Sequence, residues 1–147
     1  MDKFLQLLIA YFALHNVAPP EVKATDTNRE KSYLFDLPDA KDDPDHVFVF
    51  RNYFTRHASL KAKNAGVKYV QVIVRAKSQK QAFEDLQKLY LFILRQSDIS
   101  QEDGNIHYLD SSTWVIFDCQ EGPIKIQIDE RGRHIWGLSF PVKTNIF

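Results

Sequence analysis

The sequence predicts an α+β domain, a largely antiparallel β-sheet with two main helices packed on one face. Two segments repeat apolar residues at helical spacing, and several others alternate or run apolar over strand lengths. The resulting order is α-β-β-α-β-β-β. At 147 residues the chain suits one domain, 1-147, carrying a long acidic loop or arm at about 19-45.

Each element has a local reason. Asp2 is a fitting N-cap for a first helix over about residues 3 to 15, whose Phe4, Leu5, Leu8, Ile9 and Phe12 share one face. Pro19-Pro20 stops it. Residues 21 to 45, "EVKATDTNREKSYLFDLPDAKDDPD", show no period and carry eight acidic residues against four basic ones. They read as a loop or arm in which "SYLFDL" docks as a short strand. "HVFVFRNYF", 46 to 54, is apolar on both faces, as a central or partner-covered strand is.

A polar connection, "TRHASLKAKNAGVK", leads to a strand over 68 to 76. Val70, Val72, Val74 and Ala76 lie on one of its faces, and Tyr69, Gln71, Ile73 and Arg75 on the other. Ser78 and Gln81 have capping-box spacing and open a second helix over about 79 to 96. Ala82, Leu86, Leu89, Tyr90 and Ile93 form its core face, with Glu84–Lys88 an exposed pair. After a turn at "QEDGN" come "STWVIFDC" and then "PIKIQID", whose Ile124, Ile126 and Ile128 fall on one face. "ERGR" is a hairpin turn with Gly132 free to take positive φ. "HIWGLSFPV" then places Trp136, Leu138, Phe140 and Val142 on one side.

Composition excludes several classes. Hydrophobic residues are 44% and charged residues 26%, as in a soluble globular domain. Zero net charge argues against a protein built to coat nucleic acid. The single cysteine, Cys119, cannot close an internal disulfide and reads as a small buried hydrophobe. "MDKFLQLLIAYFALHNV" lacks a cleavage site and is too short to span a bilayer, so it reads as an amphipathic helix of the domain.

No chemistry-bearing pattern emerges. The histidines at 15, 46, 57, 107 and 134 lack close metal-ligand spacing. The carboxylates of "DLPDAKDDPD" lack the calcium-loop pattern and are interrupted by Pro44. There is no phosphate-binding glycine loop and no nucleophile elbow. The expectation is a non-enzyme with no catalytic, cofactor-binding or metal residues and no membrane partner.

Charge is polarised along the chain. Between His46 and Phe83 stand eight basic residues and no acidic one; between Gln96 and Glu130 stand eight acidic residues and only Lys125. A basic patch meeting an acidic patch on the next copy makes a heterologous contact, and such contacts close into rings where the rotation allows. Two helices cover only one sheet face, so Ile73, Ile135 and one side of "HVFVF" are expected to meet a partner subunit.

The run "VQVIVRAKSQKQAFEDLQKLYLFIL" resembles the central signature of the minor capsid or tail terminator proteins of long-tailed phages. Val70, Gln71, Val72, Val74 and Arg75 match its strand, and Ala82, Leu86 and Tyr90 its helix. "DERGRHIWGLSFPVKT" is similar to the family's closing hairpin. The likeness covers about Asp45 to Thr144 plus the first helix; the acidic 21 to 45 segment is longer than the family pattern.

The resemblance implies a virion protein of the tail and neck, assembled in the host cytoplasm. It implies a homo-oligomeric ring, expected to be a hexamer, that binds the head-proximal end of the tail tube protein and stops its polymerisation. The ring offers a docking surface to a head-completion or connector protein, and DNA is only cargo passing through its lumen. Candidate tube or subunit contacts are Arg51 together with Arg56, His57, Lys61 and Lys63 of the basic loop, then Asp36, Asp39, Asp42 and Asp43 of the acidic arm. The alternatives are another phage neck or head-completion connector protein, a small soluble binding module or enzyme, or a nucleic-acid binder stacking bases on Tyr53, Phe54 and Tyr69.

Overall fold

Asp2 caps the first helix, α1 (Lys3–Leu14), by accepting a hydrogen bond from the Leu5 amide at 3.0 Å. Its second oxygen takes Asn52 Nδ2, which ties the helix start to the sheet. The helix ends before the prolines are reached. Asn16 adopts φ 57°, the Asn16 amide bonds Ala13 O and the Val17 amide bonds Phe12 O, both at 3.0 Å. That pair of bonds is the Schellman arrangement, with Val17 buried behind it. This computed structural model describes residues 2–57, 66–97, 106–118 and 121–145, the side chains of 53–57 excepted.

The remaining elements are β1 (Ser32–Leu34), β2 (Val47–His57), β3 (Gly66–Ala76), α2 (Gln79–Gln96), β4 (Ile106–Tyr108), β5 (Trp114–Phe117), β6 (Ile124–Ile128) and β7 (His134–Thr144). The short β4 is additional to the predicted elements. The strands form one sheet in the order β1-β2-β3-β7-β5-β4, with β6 also pairing β7. The α+β class holds, but the sheet is mixed where a largely antiparallel one was expected: β1 runs parallel to β2, while the other pairings are antiparallel. The reason lies in the arm. The chain leaves β1, loops back through residues 35–46 and starts β2 from the same end, a crossover that leaves neighbours parallel.

Helical and strand periods converge on one core. Phe48 and Phe50 from β2, Val70, Val72 and Val74 from β3, and Leu138, Phe140 and Val142 from β7 share the face covered by the helices. Phe12 of α1 lies at its centre, with the rings of Phe50, Phe92, Phe117 and Phe140 within 6.4 Å of its own. On α2 the Ser78 hydroxyl accepts the Gln81 amide as the capping spacing predicts. Phe92 is buried where Tyr90 was expected, and Tyr90 is only partly so. The exposed helix pair is Lys80–Glu84, at 4.0 Å, in place of Glu84–Lys88.

A further correction concerns β6. A register shift between Lys125 and Gln127 sets Ile124 opposite Gly137 but Ile128 opposite His134, an odd number of residues apart on β7. Ile124 and Ile128 therefore point to opposite faces, because a bulge breaks the strict alternation on which the one-face reading rests.

Candidate functional site

The sheet face turned away from the helices is built from the second period of each strand. Tyr33, Val49, Ile73, Gly137 and Ile124 stand in register across five strands as one transverse row. Val49, Ile73 and Ile135 are buried there, with Tyr33 and Leu37 packed on them. Ile73 and Ile135, expected to meet a partner subunit, are thus covered by the chain's own arm.

What holds the arm is a charge network that the sequence reading did not foresee. Arg75 and Arg133 are 1% and 4% exposed, yet both rise from this face. Arg75 donates to the main-chain oxygens of Pro44 and Asp45, at 2.8 and 3.2 Å. Arg133 donates to Asp39 at 2.8 Å, to Asp129 at 2.7 Å and to Asp45 at 3.4 Å. Burial, then the neighbouring Arg133 charge, pulls the Arg75 pKa down. Burial opposes charge on Arg133 as well, but its bonds to Asp39 and Asp129 outweigh that and raise its pKa. The Arg133 bond leads the causes that hold Asp39 below the usual carboxylate range. Asp129 is lowered too: burial alone would raise it, and hydrogen bonds from Arg133 and Arg131 reverse the sign. Available signals were a charged Arg75 inside an apolar strand and the D-x-x-x-R spacing of the "DERGR" hairpin.

Beyond the arm the face stays open. Phe35 takes φ 68°, a left-handed backbone rare for a bulky side chain, and the Asp36 amide closes the turn onto Leu34 O at 2.8 Å. The turn displays the Phe35 ring at the rim of a cavity of about 160 Å³. Val49, Ile73 and Ile135 line its floor, Ile126 its far wall, and Arg51 and Asp36 its edge. Gly137 matters here: a Cβ at that position would lie 2.8 Å from Ile126 Cδ1, so the missing side chain lets Ile126 lean over the sheet.

The sequence-predicted contact residues separate into groups. Arg51 and Asp36 meet at this cavity, Arg51 being held by a 2.8 Å bond from its Nε to Gln71. Asp39 is a tether within the arginine network, and Asp43 caps a local turn by accepting the Ala40 amide at 2.7 Å. Asp42 is exposed. Arg56 and His57 belong to β2, paired with Val67 and Gly66, with side chains outside the described residues. Lys61, Lys63 and Cys119 lie outside the described residues altogether. The expected basic stretch is not one surface patch: Arg75 is buried, and Lys68 sits 5.3 Å over the Phe4 ring.

A second polar cluster lies on the helix side. His46 Nε2 meets Asp85 Oδ2 at 2.5 Å, and Gln81 approaches the other ring nitrogen at 3.3 Å. The Asp85 bond raises the His46 pKa against the effect of burial. The pair lines a cleft of about 420 Å³ with Glu30, Lys88 and the Pro19-Pro20 corner. Among the described residues no three His, Cys, Asp or Glu side chains gather as a metal site would need, and no helix is long and apolar enough to cross a membrane. No protein-family model matches the chain, and no curated protein matches it in sequence. The open face offers recognition by contact, through an apolar floor, a displayed aromatic ring and a charged rim.

Proposed function

We propose that the chain is a structural protein of a long-tailed phage virion, a ring-forming tail terminator. It caps the head-proximal end of the tail tube, halts tube growth and presents a docking surface to the head connector. One observation carries the reading. The two segments that resemble the family, distant in sequence, become the adjacent centre of the molecule: β3 and β7 pair from Gly66–Thr144 to Ala76–His134, and α2 packs on both. This is a continuous scaffold with one sheet face partly open, suited to a protein that works by contact between copies and neighbours. Arg51 and Asp36, two of the proposed contact residues, stand together at the edge of that open face.

The test is to add the purified protein to tail tubes and image their ends by negative stain while following tube growth. A ring on one end of each tube, with growth halted, is the expected outcome. A protein that ignores tube ends at high concentration overturns the proposal.

A further inference from the structure

The cavity on the open sheet face joins an apolar floor to an unpaired charge of each sign. Val49, Ile73 and Ile135 give the floor only aliphatic side chains, so water finds no side-chain partner there. Arg51 and Asp36 stand at the rim, and among the described residues neither enters an ion pair. Gln71 accepts the Arg51 Nε at 2.8 Å, which fixes one edge of the guanidinium and leaves its terminal nitrogens to grip another acceptor. Asp36 directly follows Phe35, so the left-handed turn that displays the ring also sets the carboxylate at the cavity edge.

Size narrows what fits. The volume is about 160 Å³, and an apolar cavity of about 150 Å³ takes up one benzene ring. A single six-membered ring therefore fills it, lying between the Phe35 ring and Ile126, which leans over the sheet because Gly137 has no side chain. Charge narrows it further. A ligand with only a positive or only a negative group leaves one rim charge unanswered. One carrying both an ammonium and a carboxylate answers Asp36 and Arg51 together and is neutral overall, as the rim is.

We infer that this cavity is a binding site for a small zwitterion built on one aromatic ring, an aromatic α-amino acid. The ring lies on Val49, Ile73 and Ile135, the carboxylate on Arg51 and the ammonium on Asp36. Apolar burial supplies the affinity, and the two charges fix the orientation of the ligand. The strained turn at Phe35 then has a purpose, since it places one wall of the site and one of its charges at once. The inference goes beyond the terminator reading and does not rest on it.

The test is an amide-shift titration of the isotope-labelled full chain with L-phenylalanine, with circular dichroism to verify that each variant folds. Saturable shifts at Val49, Ile73 and Ile126 are expected, with a Kd on the order of a millimolar or tighter for a ligand of this size. Phenethylamine lacks the carboxylate and phenylpropanoate lacks the ammonium. Each is expected to bind about tenfold more weakly, through loss of one charge-assisted hydrogen bond. Arg51→Gln is expected to weaken phenylalanine and phenylpropanoate by a similar factor and to spare phenethylamine. Asp36→Asn is expected to weaken phenylalanine and phenethylamine and to spare phenylpropanoate. N-acetylphenylalaninamide, which carries the ring on an uncharged peptide unit, is expected to bind more weakly than phenylalanine. Shifts that are absent or confined to other residues, or variants that bind phenylalanine as well as wild type, overturn the inference. Tighter binding of the uncharged amide overturns it too, and assigns the cavity to an aromatic side chain of a partner protein. Tube-end capping uses no such ligand and judges the terminator reading separately.

Discussion

Arg133 shows what one side chain contributes when it binds three carboxylates from two distant segments. Its guanidinium is 4% exposed and satisfied by Asp39, Asp45 and Asp129. Removing it leaves Asp129 and Arg75 beside an unfilled gap, and breaking a buried ion network typically costs about 3–5 kcal/mol. Arg133→Ala is therefore expected to lower the midpoint of chemical denaturation markedly. Asp39→Asn is expected to matter far less, since the Asp39 side chain is 69% exposed and water compensates its loss. Gly132 works through its backbone alone: φ is 76° and its amide closes the hairpin on Asp129 O at 3.0 Å. Gly132→Ala meets no neighbour within 4 Å, so its cost of about 1–2 kcal/mol is the left-handed strain itself, measurable as a fall in Tm. The glycine's role was legible in "ERGR"; the arginine's hold on the arm was not, because Asp39 and Asp45 lie far from it along the chain.

At the scale of elements, α1 is fastened by Phe4, Leu5, Leu8, Ile9 and Phe12, the last of which reaches the most aromatic rings. Phe12 is fully buried among Phe50, Phe92, Phe117 and Phe140, so it joins α1, α2 and three strands. Phe12→Ala is expected to cost about 3–5 kcal/mol in denaturant unfolding, the range for emptying an aromatic site in a close-packed core. The start of β2 is tied to α2 by His46 and Asp85. Because the Asp85 bond raises the His46 pKa, the folded state binds the proton more tightly than the unfolded chain. The stabilisation is complete below the ordinary histidine value of 6.5 and fades as pH rises through the raised folded value. Thermal stability is expected to decline across that window in the wild type and to flatten in Asp85→Asn. Glu30, which also favours the protonated ring, leaves a smaller residue of the effect.

For the whole molecule, the decisive property is that the arm covers one sheet face only in part, leaving a cavity of about 160 Å³ lined by Phe35, Asp36, Arg51 and Ile126. Salt is expected to change the stability of the chain only slightly, because its core is apolar and Arg75 and Arg133 are buried. Thermal melts run over a salt series check this. The helices, the central strands and the apolar face that joins them were legible because each rests on a local period: Phe4, Leu5, Leu8, Ile9 and Phe12 on α1, or Val70, Val72 and Val74 on β3, declare their face without knowing their partners. Arg51 and Asp36, named as contact candidates under the family resemblance, both line the open cavity.

Other features depend on relations that a period does not carry. The parallel pairing of β1 depends on where residues 35–46 cross the sheet, and the opposite facing of Ile124 and Ile128 depends on a bulge against β7. The cover over Ile73 and Ile135 depends on an arm whose anchors, Asp39, Asp45, Arg75 and Arg133, meet only after folding. The amino-acid sequence alone determined the inward faces of α1, β3 and β7, since an apolar period declares its buried side without reference to partners. Tertiary structure decided which apolar faces the chain closes upon itself and which it leaves partly open, because that depends on long-range charge pairing and on the path of one loop.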